Sequence, residues 1–537
     1  MPVPGLLPVP RDADHLLVSG EQMAEIEQQL FASGLPVEAL MEKAALLVAR
    51  HLLEHGPLQA GVLVLVGPGH NGGDALVVAR ELHLAGVAVR IWSPFERHKP
   101  LTAAHLGHGR WLGIPLLQEA PDPADGALWI DGLFGIGQHQ GPGDAIENLL
   151  LARQQQRPHH LLAVDVPTGL CADQGICLGA GAAVAHCTTT IGLVKTGLVQ
   201  DPALAYVGQL VRLDLGLPPA LLAGLPANQP LALGPKDQQA GHLNQCATST
   251  PAASKYQRGR LLVIAGSNPY RGAAALALAG ASSSGCGSLR AALPTPMGQS
   301  LWQQMPHVVV NQELGCTPAG DLLLEGLASP TLERLDAVLI GPGIGASCSG
   351  GSGAGDLEGW QPLQAFEGLV VIDADGLNRL SLMDGGGLAW LQRRQGATWL
   401  TPHPGEFARL FPQWAALPPL EAAQQAAQAS GASVLLKGAH SVVAAANGRR
   451  WQLVEANPRA ARAGLGDVLA GYAAGKGAQG GSDSQILAAA ALDHALAGCR
   501  FNQPSPAKVA AILATGTAFR CPIENKRALG DAAGLLL

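Results

Sequence analysis

Aromatic side chains are scarce in this chain. Phe, Trp and Tyr make up 4% of 537 residues and charged side chains 14%, while 47% are hydrophobic, so the cores must be assembled from Ala, Leu, Val and Ile. That composition suits buried parallel sheets covered by alanine-rich helices. Basic runs are missing too: a net charge of −7 and the lack of any Lys/Arg stripe argue against a nucleic-acid-binding surface and leave small molecules as the expected partners. No apolar run reaches the roughly eighteen residues of a membrane span. Met1–Pro10 is broken by prolines and has no basic segment, so it does not read as a signal peptide. Nine cysteines include no CxxC pair; Cys171, Cys177 and Cys187 come nearest to a cluster, without zinc-site spacing. An odd count suits a reducing compartment, and the expectation is a soluble, cytoplasmic protein.

What is present is alternation. The chain is too long for one core and should form two or more domains. β-rich runs at Val62–Val66, Val87–Trp92, Ala127–Ile130, Leu161–Val166, Thr188–Leu193 and Val207–Leu213 are separated by helical spacers, which predicts a doubly wound parallel sheet over about residues 10–216. Residues 217–253 turn to Pro, Gly, Gln and Ala without periodicity and read as a linker. A second α/β series over residues 254–520 has strands at Arg260–Ala265, Ser288–Leu293, Ala337–Ile340, Leu369–Ile372, Ala397–Leu400 and Ser433–Leu436. Helices follow near Asp467–Gly475 and Gln485–Cys499. The tract 347–355 reads as a flexible insertion and the residues after Cys521 as a tail.

The chemistry-bearing residues stand at the ends of these runs. Gly464-Leu465-Gly466-Asp467 precedes an apolar helix; its glycines bend the backbone into a helix start whose N–H groups can hold a phosphate. A carboxylate beside a phosphate is suited to take the proton of an attacking hydroxyl. On those residues alone, an ordinary glycine loop capped by Asp is the simpler reading. Asn71-Gly72-Gly73-Asp74 follows the first strand, Asp131 and Asp165 end later ones, and Pro167-Thr168-Gly169 follows Asp165 closely. Such oxygens suit a hard cation or a substrate hydroxyl. In the second half, Gly341–Gly345, Asp373-Ala374-Asp375, Thr401-Pro402-His403-Pro404-Gly405-Glu406 and Lys437-Gly438-Ala439-His440-Ser441 all close strands. Asp373 or Asp375 is placed to organise magnesium near phosphate, and Lys437 to meet nucleotide phosphate.

Taken together and in this order, these motifs resemble those of the bifunctional NAD(P)H-hydrate repair enzyme family, over nearly the whole chain. The resemblance implies an α/β protein of two domains: an N-terminal Rossmann-like doubly wound epimerase and a C-terminal ribokinase-like, ADP-dependent dehydratase. It implies a K+ ion held by Asn71, Asp131 and Thr168. Contacts to hydrated NADH or NADPH would come from Asn71, Gly72, Gly73, Asp74 and Ala75, from Gly135, Ile136, Gly137, Gln138, His139, Gln140 and Gly141, and from Asp165, which is also expected to move the proton. In the second domain Ala273, Gly345, His403 and Asp467 would touch the hydrate, while Lys437, Gly438, Ala439, His440, Ser441 and Gly466 would bind ADP, with Mg2+ as companion and Asp467 as base. A homo-oligomer is expected, with neither nucleic acid nor membrane as partner. The chain departs from the family pattern at Ala75 (usually Gly), Thr168 (more often Ser), Ser254 (commonly His) and Leu465, where a loop hydroxyl is usual; Arg462 is then the candidate for extra charge on phosphate.

The implied reaction runs from the C6 hydroxyl of the S hydrate, deprotonated by Asp467, through phosphoryl transfer from ADP to loss of phosphate. Two other readings stay open on the motifs. One is a ribokinase-like small-molecule kinase fused to a nucleotide-binding regulator; the other makes the first half a scaffold without turnover.

Overall fold

The computed structural model describes residues 8–239, 254–327, 332–345, 354–383, 385–455 and 460–516. These form two compact units, residues 11–229 and residues 230–516 with 8–10, each built on its own large sheet.

In the first unit β1 (Val62–Val66), β2 (Val89–Trp92), β3 (Leu116–Leu117), β4 (Leu128–Gly132), β5 (Leu161–Val164), β6 (Cys187–Ile191) and β7 (Gln209–Leu213) are ordered β3-β2-β1-β4-β5-β6-β7. All neighbours run parallel. Every residue of β1 and β4 is buried, which is why β1 and the Leu128–Ile130 part of β4 read as continuous apolar runs rather than alternating ones. The helix after β1 starts earlier than its apolar pattern suggests. It spans His70–Leu84, so the Asn71–Asp74 motif forms its first turn instead of a loop. Glycine is a poor helix former, but space demands it here: a Cβ on Gly72 would lie 2.1 Å from the Gly67 carbonyl oxygen, and one on Gly73 2.7 Å from Met41.

The second unit holds β8 (Leu231–Leu233), β9 (Arg260–Ile264), β10 (Ser288–Pro294), β11 (Val309–Leu314), β12 (Ala337–Ile340), β13 (Leu369–Ile372), β14 (Thr398–Leu400), β15 (Ser433–Leu436), β16 (Val442–Ala444) and β17 (Arg450–Leu453). Their order is β8-β17-β16-β15-β14-β13-β12-β9-β10-β11. Only the pairs of β16 with β15 and β17 are antiparallel. Alternate residues of β9 serve opposite layers. Leu261 and Val263 join the core containing the helices Arg271–Ser283 and Leu465–Gly480, and Leu262 and Ile264 join the core under Pro419–Ser430. The first two helices touch through glycine: a Cβ on Gly471 would come 1.9 Å from the Ala277 carbonyl oxygen. That approach sets both helix starts at the same sheet edge.

Residues 217–253, expected to be linker, are not all linker. Pro219–Ala223 is a short helix, Leu231–Leu233 pairs with β17, and Pro235–Gln239 is a further helical turn. Three-residue strands are too short to show periodicity among prolines, and residues 240–253 lie outside the described residues. β11 and the hairpin β16–β17 also went unforeseen. The insertion read at 347–355 falls mostly outside the described residues, as does the tail after Cys521. Among the described residues no helix is long and apolar enough to cross a membrane.

Candidate active sites

The first sheet reverses its strand order between β1 and β4, and beyond the C-terminal ends of such a pair lies the crevice where ligands enter. Asp131, in β4, is wholly buried. Its Oδ1 accepts from the Thr168 hydroxyl (2.7 Å) and the Leu133 N–H (3.2 Å), and its Oδ2 from the Thr168 N–H (2.8 Å). Burial nevertheless pushes its pKa up to about 6. Thr168 Oγ1 also accepts from the Phe134 N–H. Asn71 lies alongside: a Cβ on Gly135 would be 3.2 Å from its Cγ, and its buried Nδ2 has no partner among the described residues. Gln138 braces the loop by donating to the Pro167 carbonyl (3.1 Å) and accepting from the Gly169 N–H (2.7 Å). Gly137, His139 and Gln140 are exposed, Ile136 is half-buried, and Gly141 packs against Glu147.

Asp165 follows β5 with φ +67°, a conformation that costs a non-glycine residue about 1 kcal/mol. Its surroundings impose it. The backbone N–H donates to the Thr189 carbonyl, and Oδ1 accepts from the Ile191 N–H (3.1 Å) and from Lys195 Nζ (2.5 Å). Lys195 is 1% exposed and also donates to the Ile191 carbonyl (2.7 Å). Two further carboxyls feel this pair. Burial and then the Asp165 charge raise Glu27 to about 7 against the pull of Lys195, and burial, Asp165 and Glu27 hold Asp74 well above the usual range. Sequence reading missed Lys195 and Glu27. A lone lysine in the apolar run Leu193–Val194 was the available signal; Glu27 gave none.

In the second unit the loops after β12, β13, β14 and β15 meet the start of the helix Leu465–Gly480. Gly464 stands before it at φ +88°, and Asp467 occupies its first turn. Lys437 Nζ donates to Asp373 Oδ1 (2.7 Å) and lies 3.9 Å from Glu406 Oε2. A Cβ on Gly466 would be 3.4 Å from the same Nζ, so the ammonium sits at the helix mouth. Burial lowers the Lys437 pKa, but Asp373 and Glu406 outweigh it and the net shift is upward. Asp467 is raised to about 7, by burial first and then by Asp373, with Lys437 opposing. Thr401 steadies Asp373 through a 2.8 Å hydrogen bond.

His403 caps the helix Pro404–Leu410: its Nδ1 accepts from the Gly405 N–H (3.0 Å), while Glu406 Oε2 accepts from the His403 N–H (2.9 Å). The imidazole is half-exposed. The Gly345 N–H donates to Asp375 Oδ2 (2.9 Å), and buried Arg379 pins the same loop through the carbonyls of Gly345, Ile344 and Leu322. Ser441 closes the loop after Lys437 by donating to the Gly438 carbonyl, and Gln452 supports the His440 carbonyl; Ala439 lies between them. Ala273 opens the neighbouring helix against Gly343. Arg462 does not act as expected at the phosphate loop: it donates to the Pro504 carbonyl (3.1 Å). Arg379 stands in no motif, and Thr401, which opens the Thr401–Glu406 motif, gives no sign in the sequence that it supports Asp373.

Two parallel-sheet units, each with a carboxylate-rich crevice and one with lysine at a glycine-bent helix start, define a two-domain nucleotide-handling enzyme. The family model described as NAD(P)H-hydrate dehydratase matches residues 261–517, and that of the YjeF-related protein N-terminus matches residues 37–197. The bifunctional NAD(P)H-hydrate repair enzyme of Synechocystis sp. is 41% identical over 91% of both chains. That of Gloeobacter violaceus is 40% identical over 90% of this chain and 92% of its own. A solved ADP/ATP-dependent NAD(P)H-hydrate dehydratase from Bacillus subtilis, co-crystallised with ATP/Mg2+, aligns at TM-score 0.41 and 22% identity, covering 52% of this chain and 95% of that one. The chain belongs to the bifunctional NAD(P)H-hydrate repair enzyme family. Its fold is a Rossmann-like sheet followed by a ribokinase-like α/β domain.

Proposed function

We propose that the first unit interconverts the R and S hydrates of NADH and NADPH and that the second dehydrates the S hydrate with ADP as phosphoryl donor. The observation carrying this is the helix mouth: a carboxyl with pKa near 7 beside an ammonium that is paired to a neighbouring acid. Asp467 takes the C6 hydroxyl proton, the freed oxygen attacks the terminal phosphorus of ADP, and AMP leaves. Loss of phosphate from C6 together with a proton from C5 restores the dihydronicotinamide. Phosphorylation is what makes the C6 oxygen a leaving group. Gly466 backbone and Lys437 hold phosphate charge in this scheme, and Ala273, Gly345 and His403 border the hydrate.

Residues present in both crevices fit cations. In the first, the Asn71 side chain stands against Gly135 beside the Asp131–Thr168 pair; the side-chain oxygens of these three would hold potassium, which supplies positive charge toward the bound dinucleotide. In the second, Asp373, Asp375 and Glu406 act on Asp467 against Lys437 alone, an excess of negative charge that fits Mg2+ arriving with nucleotide. Among the described residues no three His, Cys, Asp or Glu side chains form a metal cluster, so phosphate oxygens would have to complete the Mg2+ shell. Asp165, held by Lys195, is the group that moves the proton during epimerisation.

Both halves match one family over about nine-tenths of the chain, which leaves the kinase-plus-regulator reading without support. The test is to mix purified protein with both hydrate epimers and ADP and follow absorbance of the reduced nicotinamide. Recovery of both epimers is expected; recovery of neither overturns the assignment.

A further inference from the structure

Glu27 stands in the first crevice and has no part in the epimerisation as written above. It lies on the helix Gly20–Ala32, of which Gly20, Met23 and Leu30 are buried; four residues after Met23 and three before Leu30, it belongs to the same stripe. The approach of the chain delivers this helix to the crevice. Leu17 and Val18 pair in parallel with Val194 and Lys195, and the Thr196 hydroxyl donates to the Val18 carbonyl (3.1 Å). Ser19 and Gln22 cap the first turn reciprocally, and the Gly20 N–H donates to Asp173 Oδ1 (2.7 Å). A Cβ on Gly20 would lie 3.2 Å from the Ile136 carbonyl oxygen, and one on Gly192 2.9 Å from Met23 Cε. The helix start is thereby set at the loop Gly135–Gly141, and its next turn at the end of β6.

Glu27 is half-buried, and among the described residues its carboxyl makes no hydrogen bond. A partnerless carboxyl on an apolar stripe costs the fold free energy, so its use lies outside the fold. The charged groups that face it are Asp165 after β5, Lys195 beside Val18, and Asp74 in the first turn of the helix His70–Leu84. The crevice thus holds two carboxyls in different settings: Asp165 is paired with Lys195 at 2.5 Å, whereas burial and the Asp165 charge raise Glu27 to about 7. Settings that separate two acids in this way fit one to donate a proton and the other to accept one.

The R and S hydrates differ in the face of C6 that carries the hydroxyl, so inversion breaks one C–O bond and makes another on the opposite face. The ring nitrogen N1 supplies the electron pair that expels the oxygen, leaving a C6=N1 iminium. The departing oxygen must gain a proton, and the arriving water must lose one. A single carboxylate cannot serve both faces at once. We infer that Glu27 is a second catalytic acid of the first unit: it protonates the C6 hydroxyl, which leaves as water, and Asp165 takes the proton of the water that adds to the other face. This rests on the epimerase activity proposed above and deepens it. Each turnover leaves Glu27 ionised and Asp165 protonated, the state from which the reverse direction starts; proton exchange with solvent restores the first state.

The test follows initial rates of R-to-S exchange by chromatography and mass spectrometry, on the full chain, in water enriched in oxygen-18. Above the uncatalysed background, the wild type places one solvent oxygen on C6 per exchange, at a rate that falls as pH rises through about 7. Glu27→Gln keeps the size of the side chain and removes the proton donor, so exchange drops by about 10²-fold or more. The first unit's urea transition is not lowered in that variant, and ADP-dependent dehydration of the S hydrate keeps its wild-type rate. The oxygen label and the pH limb are read on the wild type, so they decide the matter even where the variant unfolds. A wild type that does not accelerate exchange removes the epimerase reading and this inference with it. Accelerated exchange that survives Glu27→Gln, keeps the original oxygen on C6 or is flat from pH 6 to 8 overturns the inference alone.

Discussion

Asp467→Asn bears most directly on the mechanism, because the environment of that carboxyl fixes both the size and the sign of the effects. With a pKa near 7, about one-tenth of the carboxyl is ionised at pH 6 and about nine-tenths at pH 8. A base works only when ionised. The value of kcat/KM for the hydrate should therefore rise roughly tenfold between those pH values in the wild type, with unit slope below the pKa. Asp467→Asn removes the base, so kcat falls by about 10²–10⁴-fold and the residual rate loses that limb. ADP binding is kept or tightened, since one negative charge has gone. Stability moves the other way. A carboxyl whose folded pKa exceeds its unfolded value binds more protons when folded between about pH 4 and pH 7, so folding loses free energy as pH rises through that window. The variant should melt above the wild type at pH 8 and level with it at pH 4. Initial-rate profiles, calorimetric ADP titration and thermal melts read the three effects. A variant with normal kcat, or a wild-type profile flat from pH 6 to 8, refutes the assignment.

Lys195→Met leaves the Asp165 carboxylate buried against no cation, and breaking such a pair costs about 3–5 kcal/mol. Chromatographic R-to-S exchange should fall to the uncatalysed rate and the first unit's urea transition should move to lower concentration, with Asp165→Asn/Lys195→Met recovering the stability but not the rate. Arg379→Met frees the carbonyls that hold Gly345; KM for the hydrate should rise by about tenfold with kcat and the ADP constant nearly unchanged, and a drop in kcat alone contradicts the positioning role. Potassium should accelerate R-to-S exchange more than sodium does, and Asn71→Ala should abolish the difference between the salts.

The central strands were legible because residues buried on both faces read as continuous apolar runs: Val62–Val66 and Ala337–Ile340 are strands with the expected bounds. Short edge elements were not, since Leu231–Leu233 and Leu116–Leu117 offer too few residues for a period to appear. Within the sites, motifs exposed by glycine, proline or a strand end are readable, which is why Asp131, Thr168, Lys437 and Asp467 stand out in the sequence. Their supports could not. Lys195 reaches Asp165 across 30 residues, Arg379 reaches Gly345 across 34, and Thr401 reaches Asp373 across 28; such pairings exist only once the parallel sheet has brought the strand ends together.

Both crevices face the same electrostatic obstacle. The first gathers Asp165, Asp74 and Glu27 around Lys195, the second Asp373, Glu406 and Asp467 around Lys437, yet the ligands proposed for each carry phosphate. Two like charges about 4 Å apart repel by roughly 4 kcal/mol at the effective dielectric of a partly wet site, enough to exclude a diphosphate. Protonation removes some of this charge, and the raised pKa values of Glu27 and Asp467 show that it does so near neutrality. At pH 8 Asp467 must be ionised to act as base, so protonation is then unavailable where it is most needed, and only a cation entering with ADP restores the balance. Stripping divalent ions with EDTA should accordingly weaken ADP binding at pH 8 by more than tenfold and at pH 6 by less, as the carboxyl regains its proton. Calorimetric titrations of ADP with and without magnesium at the two pH values measure this. Equal affinity in all four conditions would show that the acids of this crevice do not control nucleotide entry.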